Sequence, residues 1–471
     1  MLSRDRRPRA RALVGTTALL FGLVLLPVAA RATTYTVNNN GDAGDASPGN
    51  NVCATAGGVC TLRAAIQEAN AHSGPDTIVI PAMTITLGSE LLVTQDVTIS
   101  GAGPGTIISG NNVTRVFDFG VSSGTHSLSN LTIQYANTTL DGGGLWNGGN
   151  LTVTSVTFAN NVANQGGAAY CDTAAAPGQP YQPSLTMSAV TFTGNSNTSP
   201  TFGQGGGALF NGCTLIVSNA SFSTNVSNLE GGAFYNNSPI GATVQISDFV
   251  MDSNSAKWGG AVENDLGTVT LLRGTISNNT STCCDPFNAP PNNSTGGGGV
   301  SQNEGSMSLT DVTLVNNQAT SPGGYGGAVY SSEVMTLTRV SMSGNQAAYG
   351  AGIYNGNFLG VTNSMTLTNV TISGNIGRNS ASPLVNSTGA GIFNTTQGQM
   401  TLTNSTVANN SAVLAGGIYN NPGGTANAVT LRNTILSGNT GSAGSPNCGG
   451  TVTSGGSNIV QSATGCTFIT T

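Results

Sequence analysis

An eleven-residue segment, Met365 to Asn375 (MTLTNVTISGN), recurs with variation ten times between Leu151 and Asn439, and this repetition narrows the available folds more than any other feature. Every copy ends on asparagine: Asn161, Asn195, Asn225, Asn254, Asn279, Asn317, Asn345, Asn375, Asn410 and Asn439. A shorter segment precedes each copy, clearest as GGAFYN from Gly231, GAGIYN from Gly350 and AGGIYN from Ala415. One long and one short segment together take about 24 to 40 residues, a period that belongs to stacked solenoids. Threonine alternates with Leu, Val or Ile in the long segment, the pattern of half-buried strands, and Gly- and Asn-rich corners follow. The prediction is an all-β chain: a single right-handed parallel β-helix of about 12–13 coils over residues 76–439. At about 4.8 Å per coil the rod is near 60 Å long.

Equivalent positions should then stack in columns. The eighth place of the long segment is always apolar (Phe158, Phe192, Phe222, Met251, Ile276, Leu314, Met342, Ile372, Val407, Leu436), as is the fourth of the short one, so both face the core. The terminal asparagines are expected to form an amide ladder at one corner. The fifth place of the long segment carries Asp248, Arg273, Asp311 and Arg339 in neighbouring copies, which predicts a file of alternating charge. The fifth place of the short segment reads Trp146, Tyr170, Phe210, Tyr235, Glu263, Ser301, Tyr330, Tyr354, Phe393, Tyr419. If the fourth place points inward, alternation points the fifth outward. Eight rings in ten coils then make either an outer stripe for sugars or a stack that stabilises the coils.

The chain is poor in charge, with 7% charged residues and a net charge of −6. Residues 1–32 read as a signal peptide: Arg4, Arg6, Arg7, Arg9 and Arg11, an apolar run from Leu13 to Val28, and Ala30-Arg31-Ala32 as cleavage site. Its loss would leave seven basic and eighteen acidic residues, a balance that disfavours nucleic acid as a partner. An exported, monomeric chain, either secreted or held at the cell surface or outer membrane, with no further membrane-spanning segment, is expected. Export allows disulfides, and Cys53 with Cys60, Cys171 with Cys213 and Cys448 with Cys466 are the candidate pairs. Cys283 and Cys284 are left unassigned. With two histidines in the chain, no Cys/His metal spacing exists, and neither a metal nor a cofactor is expected.

Residues 33–75 read as a cap and 440–471 as a C-terminal hairpin closed by Cys448 and Cys466. In the cap, Leu62, Ala65, Ile66 and Ala69 fall on one face of a helix within CTLRAAIQEAN, Cys60 to Asn70. This segment resembles the N-terminal module of exported bacterial β-helix proteins named for the motif Cys-Ser-Leu-Arg-Glu-Ala: Cys60, Leu62, Arg63 and Ala65 match, while Thr61 and Ala64 depart. The resemblance implies a β-helix behind the cap and no particular activity. The short segment resembles the Gly-Gly-Ala-Ile repeats of polymorphic outer-membrane proteins, which implies an adhesin-like role.

The aromatic row breaks at Glu263 and Ser301, and Glu230, Asp252, Lys257 and Asp265 lie around the break, the densest charge in the chain. Clustered carboxyls serve acid–base chemistry. Glu263, Asp265, Asp252 and Lys257 are therefore the candidate catalytic residues. The expectation on balance is a non-catalytic rod that contacts extracellular glycans or cell surfaces through its rings. The alternative is a polysaccharide lyase or glycoside hydrolase acting on an acidic polysaccharide.

Overall fold

Alternation makes each long segment a strand, as at Asn150–Ala159, Ser184–Thr193 and Thr214–Ser223. Successive copies pair in parallel with their columns in phase: Phe158 lies over Phe192 and Phe192 over Phe222. Those rings pile inside the rod at centroid distances of 5.0 and 4.6 Å. The short segments form a second parallel face, with Leu145–Asn147, Ala169–Cys171 and Leu209–Asn211 side by side. Two-residue strands such as Val162–Ala163 and Ser196–Asn197 form a third. The chain is thus a parallel β-helix with a single short helix, seen in a computed structural model that describes residues 32–470 apart from 73, 121–123, 173–181, 240, 283–295, 357–362, 379–386, 422–427 and 442–443. The expected signal peptide and the Cys283–Cys284 pair lie outside the described residues.

Two columns adopt a backbone that alternation does not foretell. The fifth place of the long segment is left-handed in every copy, from Asn130 (φ 57°) through Arg273 (φ 52°) and Arg339 (φ 53°) to Asn433 (φ 48°). The tenth place is left-handed too, in Asn160, Thr224, Ser253, Asn278, Asn316 and Asn409, and in Gly194, Gly344, Gly374 and Gly438. Asn and Gly tolerate this region best, which accounts for their abundance at the corners. The fifth place breaks the strand's alternation, so Val156, Thr157 and Phe158 resume it with Val156 and Phe158 buried.

The charged file is shorter than expected. Arg273 grips Asp248 (2.7 Å) and Arg339 grips Asp311 (2.6 Å), each through two guanidinium nitrogens. The result is two separate exposed pairs rather than one alternating row. Hydrogen bonding to Arg273 holds the Asp248 carboxyl below its usual range.

The terminal asparagines do form a ladder. The Asn161 amide and backbone N–H both donate to Asn195 Oδ1, and the same step repeats through Asn225, Asn254, Asn279, Asn317, Asn345, Asn375, Asn410 and Asn439. A second amide ladder runs along the short segments, from Asn211 to Asn236, Asn264 and Gln302, and from Asn355 to Asn394 and Asn420. Both are buried, so each amide must find its partners inside the protein.

At the N-terminal end, the helix Leu62–Ala71 packs on the strands Asp76–Ile80 and Leu91–Val93, with Leu62, Ala65, Ile66 and Ala69 buried. Thr61 caps it by accepting from the Ala64 N–H. Buried Glu68 accepts backbone N–H groups from Gly49, Asn50 and Val52, which fixes the preceding loop. Disulfides join Cys53 to Cys60, Cys171 to Cys213 across two coils, and Cys448 to Cys466. The expected C-terminal hairpin is corrected: Cys448–Ser454 and Cys466–Thr470 pair in parallel, so this segment continues the coil instead of folding back.

Candidate functional site

The fifth places of the short segments lie on the outer side of their face, as alternation requires. They do not form an exposed stripe. Tyr170, Phe210, Tyr235, Tyr330, Tyr354 and Phe393 are 0–8% exposed, and Trp146 and Tyr419 are half-buried. The rings lie on one another: Tyr170 on Phe210 at 4.5 Å, Tyr330 on Tyr354 at 5.4 Å, Tyr354 on Phe393 at 5.2 Å, Phe393 on Tyr419 at 5.3 Å. Residues outside the repeated positions add to the cover, as where Tyr325 meets Tyr354 at 4.7 Å. The expected glycan-stacking surface is therefore an internal stack along most of its length.

Where the rings give way to Glu263 and Ser301, carboxyls converge. Glu263 is 1% exposed and follows Tyr235 in register, with Ser301 next. The Ser301 hydroxyl donates to Glu263 Oε1 at 3.1 Å, while Oε2 has no hydrogen-bond donor. The Tyr235 hydroxyl donates to Asp265 Oδ2 at 2.8 Å and the Asn303 amide to Oδ1 at 3.2 Å. Glu230 joins from the adjoining corner, where the Gly203 N–H donates to its Oε2 at 2.8 Å.

The local sequence explains the convergence. Strand Val262–Leu266 breaks register with its neighbour: Asn236 pairs with Asn264, but Asn237 pairs with Leu266. Asp265 is thus the extra residue of a bulge, a device that re-aims a side chain. A sequence signal was present, since five positions separate Asn264 from Val269 where four separate Asn147 from Leu151.

These acids hold protons unusually well. Burial, then the neighbouring Asp265 charge, pushes the Glu230 carboxyl up to about 8. Burial, then Asp265 and Glu230, lifts Glu263 well above its ordinary value. Burial lifts Asp265 as well, against the hydrogen bonds from Tyr235 and Asn303. A proton on Glu263 resolves its orphaned oxygen, because a protonated carboxyl can donate to Asp265. Asp265 is half-buried and so can reach solvent. The group can therefore hold a proton on one member while another is ionised, which is what acid–base catalysis requires.

Two candidates do not belong to the group. Asp252 binds the Ser277 hydroxyl, the Asn278 amide and the Ser253 hydroxyl on the long-segment face, and those bonds hold its carboxyl low despite the opposing effect of burial. Lys257 is exposed, and no ion pair to it is seen among the described residues. Among the described residues no group of three His, Cys, Asp or Glu side chains could hold a metal ion.

No protein family and no curated protein matches the sequence. Among solved structures the chain is similar to a mannuronic acid specific polysaccharide family 6 lyase from human gut microbiota, with 12% identity over 93% of this chain and 91% of that one and a TM-score of 0.39. The expectation of a non-catalytic adhesive rod is corrected: the rings that were to carry it are buried.

Proposed function

We propose that the protein cleaves an acidic polysaccharide, as a lyase or a glycoside hydrolase, with Asp265, Glu263 and Glu230 as its acid–base group. One observation carries this reading. In a chain with 7% charged residues, three carboxyls share a site at a strand bulge and one of them reaches solvent. A purely structural role would be served by the amide or ring columns that occupy these places in the other coils.

Asp265 is the group placed to meet substrate, and Glu263 behind it supplies or stores the proton. In an elimination, an ionised carboxyl takes the proton next to the uronate carboxyl, and a protonated one donates to the departing glycosidic oxygen. In a hydrolysis the same pair activates water and protonates the leaving group. Protonated neighbours also lower the repulsion that an anionic sugar meets here.

Incubation with oligomannuronate, oligogalacturonate and neutral cello-oligosaccharides tests the reading. Unsaturated product marks a lyase and saturated reducing ends mark a hydrolase. Asp265→Asn should reduce either by about 100-fold or more. Absence of both products from wild-type protein on every substrate overturns it.

We infer also that the chain is exported, on the strength of the arginine-rich front and apolar run in residues 1–32. The cap is proposed to be of the Cys-Ser-Leu-Arg-Glu-Ala type, supported by Cys60, Leu62, Arg63 and Ala65, and the short segments to share the build of the polymorphic outer-membrane protein repeats. Secretion of the full chain, with residues 1–32 missing from the mature protein, is the expected outcome; retention of those residues in the cytoplasm would refute export.

A further inference from the structure

The coil before Glu230 carries an insertion at the same corner. Ten residues lie between Asn195 and Gly206, where five lie between the equivalent Asn225 and Gly231. The extra length holds Phe202, which is 52% exposed. Among the described residues, Phe202 and Tyr135 are the exposed aromatic side chains.

The loop around Phe202 is tied down on both sides. The Ser199 hydroxyl donates to Gln204 Oε1 at 2.6 Å, the Asn197 amide to the Gln204 carbonyl at 3.1 Å, and the Asn228 amide to the Ser199 carbonyl at 3.0 Å. Gly203 has φ 76°, a left-handed backbone that glycine adopts without strain. Its N–H is the one that Glu230 Oε2 accepts, and a Cβ at Gly203 would lie 3.8 Å from the Tyr235 hydroxyl that binds Asp265. Phe202 therefore adjoins the one loop residue whose backbone touches the acids.

Behind the ring is Trp258, which is 6% exposed and pairs with Glu230 from the next coil. The two rings are 4.8 Å apart with their planes at 37°. No second ring meets Phe202 among the described residues, so one side rests on Trp258 and the other meets solvent. An apolar face left in water contributes nothing to folding, so cover for Trp258 does not account for the whole ring. A fixed ring, bare on one side and beside proton-holding carboxyls, suits a pyranose, which is apolar across its faces and polar at its rim.

We propose that Phe202 is the platform for a sugar adjoining the bond to be cleaved. This deepens the cleavage reading above and rests on it for the reaction. The sugar's apolar face lies on the open side of Phe202, and its rim turns toward Asp265. Trp258 backs the ring, and the Gly203–Glu230 bond ties the platform to the acids. Contact with the ring thus orients the glycosidic bond for proton transfer.

Two substitutions separate a platform from a cover. Phe202→Tyr keeps a flat ring, whereas Phe202→Leu keeps an apolar cover without one. Both alter an exposed side chain, so both should keep the wild-type circular dichroism. Turnover of oligomannuronate and oligogalacturonate is measured in each. Binding is measured by calorimetric titration in Asp265→Asn, alone and combined with either substitution. The expected result is about tenfold weaker binding and about tenfold lower kcat/KM in Phe202→Leu, with Phe202→Tyr close to wild type. Phe202→Leu equal to wild type overturns the platform and leaves cleavage intact. Equal losses in both variants also overturn it, since the loop and not the ring would then matter. Ring-dependent binding without cleavage by wild type supports the platform and overturns the cleavage reading. Absence of both binding and cleavage overturns both.

Discussion

Each buried asparagine of the corner ladder satisfies three groups at once: the amide oxygen of the next copy, the backbone N–H of the preceding copy, and a carbonyl one coil back, as Asn279 does with Asn317, Asn254 and Met251. Asn279→Ala strands those partners, and each buried polar group left unpaired costs about 1–3 kcal/mol. A lower midpoint in chemical denaturation is the expected result. Ala189 presents the opposite case, an exposed alanine held at φ 53° where Asn is the commonest residue among the copies. Ala189→Asn relieves a conformation that costs ordinary residues about 1–2 kcal/mol, so its midpoint should rise. The carboxyl group makes stability depend on pH. Glu230 keeps its proton in the folded chain to about pH 8, whereas the unfolded chain releases it near 4.5. The folded state thus binds more protons between those values, and stability falls as pH rises through that window. The melting temperature of wild type should drop from pH 5 to pH 8, with a shallower drop in Glu230→Gln.

At the level of the element, the columns decide what was legible. Apolar repetition at the eighth and fourth places identified both inward faces, because burial imposes the same demand in every copy. The terminal asparagines were legible for the same reason. Direction was legible for the outer rings, but cover was not: Tyr325 and Tyr349 sit in corners of variable length, and no repeat period places them over Tyr354 or Phe393. The left-handed columns escaped notice because alternation describes where side chains point and not the handedness of the backbone between them. The site was partly legible. Glu263 interrupts a column and so is conspicuous, and its neighbours Glu230 and Asp265 follow. Asp252 and Lys257 are close to it in sequence but not among its partners, since the chain turns a corner between Asp252 and Glu263. Within the stacks, Tyr330→Ala should destabilise the rod by about 3–5 kcal/mol, as expected for a buried aromatic lost to a cavity. Reversal at Arg273 sets Asp248, the new acid and Asp311 in adjacent coils, and should lower the melting temperature most at low salt.

For the molecule as a whole, its charge and that of the proposed substrate have the same sign. The net charge of −6 repels an acidic polymer at a distance, even where protonated carboxyls receive it locally. Added salt screens that approach, so the rate at low concentrations of an acidic polysaccharide should rise between low and moderate ionic strength, while that on a neutral one stays level. A fall with salt would assign the polymer contacts to basic groups instead.

Pairing in phase from coil to coil also makes the rod a ruler. Coil follows coil in equivalent steps, each closed by the same backbone bonds as the last. Loss or duplication of one step would leave its neighbours able to join, and would change only the length of the rod. That length can therefore drift by integers while the carboxyl group at the strand bulge keeps its own neighbours.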